Sequence, residues 1–156
     1  MINRFEKFSF AVFNISKYWS KIAAEEMKKY GLKGPYAIYL AAMRNADGDI
    51  TAAKLSELCG KDKADISRAV AAMEKQGLIK REAANQNLYR ARLLLTETGN
   101  AAAEEISRRA SLAVDIAGSG ISDEDRAVFY DVLGTIANNL KDLSKTGLPQ
   151  SEDIAQ

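Results

Sequence analysis

The sequence predicts a mainly α-helical fold with one small β-hairpin. Apolar residues recur at steps of three and four in the first thirty and the last forty residues, which is typical of helices with one buried side. Two short helical stretches in the middle are separated only by a tight turn at Gly60. A run with strand character, broken by turn residues, follows them. With 156 residues, the chain is long enough for one compact domain or two small lobes.

The amino-terminal segment predicts one long helix over residues 3–30. Gly31 and the Gly34-Pro35 pair end this helix. Phe10, Phe13 and Tyr18 widen its apolar side. The main apolar stripe consists of Phe5, Phe8, Val12, Ile15, Trp19 and Ile22. Because so wide an apolar side needs more than one neighbour, we expect this helix to take part in an interface between two copies of the chain.

Two shorter helices are predicted next. The first covers Tyr36 to Ala46, and a turn at residues 47–49 ends it. Its expected inward residues are Ile38, Tyr39 and Met43. The second is capped by Thr51 and ends at Cys59, and Gly60 fits the position just past its end. Its expected inward residues are Leu55 and Leu58.

The next predicted helix follows the turn at Gly60, and a hairpin is predicted after that helix. Asp62 caps the helix, Asp65 stands three residues on as in a capping box, and Gly77 ends it. The buried face is predicted to consist of Ile66, Ala69, Val70 and Met73. A strand leads out from Leu78-Ile79, a turn is predicted at Asn85-Gln86-Asn87, and the returning strand at Leu88 to Leu95.

The carboxyl-terminal part is predicted to be helical again. One helix follows Thr96–Gly99 and runs to Ala117, and glycines 118 and 120 break it. Ser122 with Asp125 predicts a second capping box at the start of the last helix, which ends near residue 147. The apolar stripe of the last helix consists of Phe129, Val132, Ile136, Leu140 and Leu143.

The residue inventory argues against an enzyme. The chain has no histidine and a single cysteine, Cys59, so imidazole catalysis, histidine-ligated zinc and paired-cysteine sites are excluded. No phosphate-binding glycine loop occurs, and we expect no cofactor. No apolar run approaches the ~20 residues that cross a bilayer, and the first eight residues lack the apolar core of a signal peptide. The sequence therefore predicts a cytoplasmic protein.

Charge is unevenly distributed along the chain. The net charge is only +1, but residues 51–92 carry nine basic against five acidic side chains. Residues 93–156 carry five basic against eleven acidic side chains. A local basic surface matters more for nucleic-acid binding than the total charge does. The middle of the chain is therefore the predicted contact with DNA.

Two helices joined by a short glycine turn and followed by a hairpin form the winged helix-turn-helix pattern. From Gly34 to Gly99, and more loosely over nearly its whole length, the chain resembles the MarR family of bacterial regulators. The segments that carry this resemblance are Ile50–Gly60, Asp62–Val70, Met73–Ile79 and Leu95–Gly99. The resemblance implies a homodimer built from the first helix and the last two helices. It also implies binding to a palindromic operator in double-stranded DNA, repression, and often a small-molecule effector that changes DNA affinity.

The predicted organisation follows from this pattern. Residues 1–34 and 100–156 are predicted to supply dimerisation helices, and residues 35–99 the winged helix-turn-helix domain. One departure from the family concerns the wing, where many members carry Asp-x-Arg and this chain has Asn87-Leu-Tyr89. The family's wing arginine and its ion pair therefore cannot be transferred to this chain.

The candidate base-reading residues lie on the helix that begins after Asp62. At 100° per residue, Arg68, Ala64, Ala71 and Lys75 fall opposite the buried face. Arg68 is suited to pair with guanine O6 and N7, and Ala64 to contact a thymine methyl group. The remaining candidates on this helix are Lys63 and Asp65 near its amino end, Ser67 beside the outer face, and Lys75, which with Lys54 is expected to contact phosphates. Asp65 has two alternatives, accepting from cytosine N4 or only capping the helix.

Arg90 and Arg92 are the candidate contacts on the wing. They stand two apart on the predicted strand and so share one face, which suits phosphates or a narrow minor groove. The alternative is an ordinary polar strand face. Cys59 has two interpretations, a redox sensor or a small residue packed at a helix end. For the whole chain, the alternative to a DNA-binding regulator is a dimer that binds a ligand or a protein and has lost DNA binding.

Overall fold

The computed structural model describes residues 3–83, 86 and 90–150. Within these residues the fold has six helices and one two-stranded antiparallel sheet, which confirms the predicted winged helix class. The elements are α1 (Arg4–Lys28), α2 (Tyr36–Asn45), α3 (Ala52–Cys59), α4 (Lys63–Lys75), β1 (Ile79–Glu82), β2 (Arg92–Leu95), α5 (Glu97–Ala117) and α6 (Asp123–Thr146). None of the helices among the described residues is long and apolar enough to cross a membrane.

Side-chain caps fix where four of the helices begin. The predicted caps of α3, α4 and α6 are confirmed, since Thr51, Asp62 and Ser122 each accept the backbone N–H of the residue three positions on. A capping box at α1 was not predicted: the side chains of Asn3 and Glu6 each accept the other residue's backbone N–H. Such caps satisfy helix N–H groups that have no partner within the helix.

The chain divides into two compact units, Met1–Ser111 and Leu112–Gln156. The first unit contains one apolar core, to which every element from the end of α1 to the first half of α5 contributes. The predicted buried face of α4 is confirmed, since all four of its residues are at most 2% exposed. The largest of the fully buried core side chains are Met27, Leu40, Met43, Ile50, Leu55, Ile66, Val70, Met73 and Leu93.

The start of the hairpin's second strand is hydrogen-bonded to the segment that precedes α3. In the register of the two strands, Ile79 lies opposite Leu95 and Glu82 opposite Arg92. Thr51, just before α3, forms an isolated antiparallel bridge with Arg92, and the N–H of Leu93 donates to the carbonyl of Ile50 at 2.8 Å. The backbone that precedes α3 is therefore hydrogen-bonded to the second strand of the hairpin.

The second unit, residues 112–156, contains the end of α5 and all of α6. At its turn, the guanidinium of Arg126 donates to the carbonyl of Gly118 at 3.1 Å and lies 3.8 Å from the carboxylate of Asp115. Large apolar side chains of α6 are exposed, including Phe129 and Val132 at 47% and 50%. No described residue of α6 is buried.

Several predicted details were wrong. Ile38 and Leu58 were expected to face inward, but they are 61% and 59% exposed. The returning strand begins at Arg92, and Arg90 precedes it; the earlier residues of that strand, Leu88 and Tyr89, lie outside the described residues, as does the predicted turn except for Gln86. α5 begins at Glu97, before Gly99, because the Thr96 hydroxyl accepts the Gly99 N–H at 3.0 Å and starts the helix earlier.

Candidate nucleic-acid interface

A three-residue turn sets the angle between α3 and α4. Gly60 adopts the left-handed conformation with φ +60°, which a residue with a Cβ rarely adopts. The N–H groups of Gly60 and Lys61 both donate to the carbonyl of Ser56, and the Ser56 hydroxyl donates to the carbonyl of Lys61. Asp62 then caps α4. The turn is thus closed by hydrogen bonds at both ends, and α4 packs on the core behind it.

The outer face of α4 is open to solvent. Lys63, Ala64, Ser67, Arg68 and Lys75 are all exposed, and Asp65 is half-buried. Because the opposite face is held in the core, these side chains project from a rigid support. The structure therefore brings the candidates of α4 together on the side of the helix that faces away from the core.

Arg68 and Lys54 each form an ion pair within their own helix. Arg68 donates from Nη2 to the Asp65 carboxylate one turn earlier on α4. The Lys54 ammonium lies 3.0 Å from the carboxylate of Glu57 on α3. Both pairs lie on exposed helix surfaces, so water and salt screen them. The Asp65 carboxylate does not complete the predicted capping box. The backbone N–H of Asp65 donates to the Asp62 side chain, and the Asp65 carboxylate accepts from Arg68.

The two wing arginines have different surroundings. Arg92 donates from Nε to the carbonyl of Gly48 at 3.0 Å, and its Nη1 lies 3.8 Å from Oε2 of Glu82. The first contact joins the start of β2 to the turn between α2 and α3, and the second joins it to the end of β1. Arg90 is exposed and lies before the strand, while Ala91 between the two arginines is 2% exposed. Arg90 and Arg92 are thus both exposed, but only Arg92 is in the strand, so the predicted shared strand face does not extend to Arg90.

Further basic side chains that the sequence analysis did not select lie in the same region. Lys61 in the turn before α4 and Lys80 on β1 are exposed. Arg81, the next residue, lies 3.1 Å from the carboxylate of Glu74 and is largely covered. The signal that was available for Lys61 and Lys80 was their position in a turn and on a strand that flank the basic helix.

The environment of Cys59 disfavours a thiolate. The residue is half-buried at the end of α3 and packs against the core. Burial raises the pKa of this thiol above its usual value, and the positive charge of Lys61 only partly opposes this. Low-pKa, accessible thiols are the ones that sense oxidants. Among the described residues no cluster of acidic or cysteine side chains could hold a metal ion.

Comparison with known proteins agrees with this geometry. Residues 30–87 match the sequence model of the MarR family. Curated protein sequences give no match. Among solved structures, an uncharacterised SlyA-like transcription regulator from Listeria monocytogenes is similar, with a TM-score of 0.77 and 26% identity, over 90% of this chain and 95% of that one.

Two similar structures were solved with DNA. One is a MarR-family regulator from Listeria monocytogenes in complex with a 26mer DNA, with a TM-score of 0.76 and 26% identity over 90% of this chain and 95% of that one. The other is the S. aureus MepR–DNA complex, with a TM-score of 0.76 and 16% identity over 85% of this chain and 97% of that one. At such identities it is the fold that is shared. With the match of residues 30–87 to the MarR-family model, the shared fold confirms the resemblance seen in the motifs: the chain is similar in sequence over that segment, and in fold over most of its length, to MarR-family transcriptional regulators.

Proposed function

We propose that this protein is a transcriptional regulator that binds double-stranded DNA sequence-specifically as a homodimer. The observation that carries the proposal is the exposed face of α4, where Arg68 and its neighbours project from a helix whose other face is fully buried. A helix of this kind fits the major groove, and its side chains can reach base edges there. The similar Listeria monocytogenes regulator, whose structure contains a 26mer DNA, supports the same use of the fold.

The proposed roles separate base reading from backbone contact. Arg68 reads a guanine, and Ala64 and Ser67 contact neighbouring base edges. The candidate phosphate contacts are Lys54, Lys63, Lys75, Arg90 and Arg92, joined by Lys61 and Lys80 from the structure. Several phosphate contacts from each subunit would make affinity fall steeply with salt, because each contact releases condensed counterions.

The proposed dimer rests on apolar side chains that the single chain leaves exposed. On α1, large side chains such as Phe5, Phe13 and Trp19 are 74%, 61% and 43% exposed. On α6, Phe129 and Val132 are similarly open. Exposed apolar side chains in such number on each helix mark an interface, and a second copy of the chain is the simplest partner. We therefore assign residues 1–34 and 100–156 to dimerisation and residues 35–99 to DNA binding.

The dimer has a direct test. Light scattering at micromolar concentration should give a mass close to twice 17.1 kDa. Phe129→Glu places a charge in the proposed interface and should shift the protein toward the monomer, whereas Glu57→Ala on α3 should not. A monomeric wild-type protein with native helicity would refute the dimer and, with it, the palindromic operator.

The DNA-binding proposal is tested by selecting bound duplexes from a random-sequence pool. Arg68→Ala should lower affinity for the selected duplex by ~1–3 kcal/mol and change binding to scrambled DNA little. Arg90→Ala and Arg92→Ala, tested separately and together, should weaken both duplexes alike and flatten the salt dependence. A protein that selects no duplex at low salt would favour the alternative, a ligand-binding or protein-binding dimer that has lost DNA binding.

The finer parts of the proposal come from the family resemblance and from the sequence. We propose that the protein acts in the cytoplasm as a repressor, and that a small-molecule effector releases it from DNA. A reporter gene placed behind the selected site tests repression, since expression should rise when the regulator is removed. A higher expression in the presence of the regulator would instead make it an activator.

A further inference from the structure

Near its amino end, α4 carries an acidic side chain on the surface proposed to bind DNA, where a negative charge repels phosphates. Asp65 is the third residue after the cap, and its side chain is 43% exposed beside the 65% exposed side chain of Arg68. The helix does not need this carboxylate for its cap, because Asp62 supplies the capping oxygen at 2.8 Å from the Asp65 N–H. The carboxylate oxygen Oδ1 instead accepts a hydrogen bond from Nη2 of Arg68.

We infer that Asp65 is a positioning residue that holds the guanidinium of Arg68 in place to read a guanine. This inference rests on the proposed DNA-binding function. A guanidinium has five N–H donors, and the bond to Asp65 takes one of them. Two donors in the fork geometry remain for guanine O6 and N7. Because a long side chain loses rotamer freedom when it binds, fixing it beforehand lowers the cost of forming the base contact.

Two other roles for Asp65 make different predictions. If the carboxylate acted only through its charge, it would repel phosphates, and its removal would strengthen binding to every DNA sequence alike. If it accepted a hydrogen bond from cytosine N4, it would specify a base pair of its own, whether or not Arg68 is present. A positioning residue instead affects discrimination only at the base pair that Arg68 reads.

The experiment is a double-mutant cycle with Asp65→Ala, Arg68→Ala and the double variant. The probes are a duplex selected by the wild-type dimer from a random-sequence pool and a set of duplexes in which each G·C pair is replaced in turn. Arg68→Ala should lower the preference for one G·C pair by about 5- to 150-fold. Asp65→Ala should lower the preference for the same pair by about 2- to 12-fold. In the Arg68→Ala background, Asp65→Ala should leave the preference at that pair unchanged.

Matched variants separate positioning from charge and from stability. Glu57→Ala removes an equivalent charge from α3, where Glu57 pairs with Lys54 at the same spacing of three residues. It should change binding to selected and scrambled DNA equally. Asp65→Asn removes the charge but keeps an acceptor oxygen, and its preference should lie between those of the wild type and Asp65→Ala. Since Asp62 remains as the cap, thermal unfolding should confirm that the Asp65 variants are folded.

The outcomes that overturn the inference are specific. If Asp65→Ala strengthens binding to all duplexes equally, as is expected of Glu57→Ala, then the effect of Asp65 on DNA binding is purely electrostatic. A loss of preference at a different base pair that persists without Arg68 assigns it direct base reading. If the wild type selects a duplex but Arg68→Ala changes no preference, Arg68 is not a base reader and the inference falls while DNA binding stands. If no duplex is selected, the proposed function falls first.

Discussion

An ion pair between α1 and α5 gives the fold a defined dependence on pH. Glu26 on α1 accepts two hydrogen bonds from the guanidinium of Arg109 on α5, at 2.8 and 3.1 Å. Lys29 lies 3.2 Å from the other oxygen of the same carboxylate. The hydrogen bond from Arg109, followed by that from Lys29, holds the pKa of Glu26 at about 2, well below its usual value of 4.5.

The expected effect of Glu26→Gln follows from this shift. A depressed carboxyl pKa contributes stability that is complete above pH 4.5 and is lost as the pH falls through about 2. The full shift would correspond to ~3 kcal/mol. The Glu26 and Arg109 side chains are 25% and 41% exposed, so water screens the pair and we expect a loss of ~1 kcal/mol at pH 7. The difference between wild type and variant should shrink between pH 4.5 and pH 2.

The measurement is urea unfolding at a fixed protomer concentration, because the stability of a dimer depends on concentration. Glu105→Gln is the matched control, since Glu105 pairs with Arg108 of its own helix, in an exposed i, i+3 arrangement, and does not join two elements. At pH 7, Glu105→Gln should lower the free energy of unfolding by less than Glu26→Gln does. A Glu26→Gln variant as stable as the wild type at pH 7, or a difference that grows toward acid, would refute the reasoning.

Three further predictions test local features of the fold and site. Gly99→Ala should destabilise the protein by ~1–3 kcal/mol in urea unfolding, because the added Cβ would lie 1.8 Å from the carbonyl oxygen of Leu78; an unchanged midpoint would contradict this. Cys59 should react with iodoacetamide more slowly than free cysteine at pH 7, because burial raises its pKa, and rapid labelling would reopen redox sensing. Arg92→Ala should cost ~1 kcal/mol of stability through its lost bond to the Gly48 carbonyl, whereas equal losses for Arg90→Ala would show that the bond is unimportant.

The local signals in the sequence predicted the helices well. The caps at Thr51, Asp62 and Ser122 could be predicted because a capping side chain accepts a hydrogen bond from a backbone N–H only three residues away. The buried face of α4 was predicted in full because thirteen residues define the phase of an apolar stripe. The positions of its outward side chains then followed from geometry alone.

Short helices were harder to orient. Leu55 and Leu58 are both apolar and stand three residues apart, yet the first is fully buried and the second is 59% exposed. Three residues turn a helix by 300°, so the two side chains point 60° apart, and eight residues do not decide which of them faces the core. In α2, Ile38 points 100° away from Tyr39 and is 61% exposed, whereas Tyr39, Leu40 and Met43 are buried.

The two wing arginines show where sequence reasoning about the site stops. Alternation along the chain placed Arg90 and Arg92 on one outward face, and both are exposed. The two arginines differ because Arg92 donates to the Gly48 carbonyl. Gly48 lies 44 residues before Arg92 in the sequence, so only the fold brings the two together. The pair Asp65–Arg68, in contrast, is spaced one helical turn apart and could be recognised from the sequence. Since Arg92 must leave or share its bond to Gly48 to contact a phosphate, and Arg90 precedes the strand, the two arginines should be tested as separate residues.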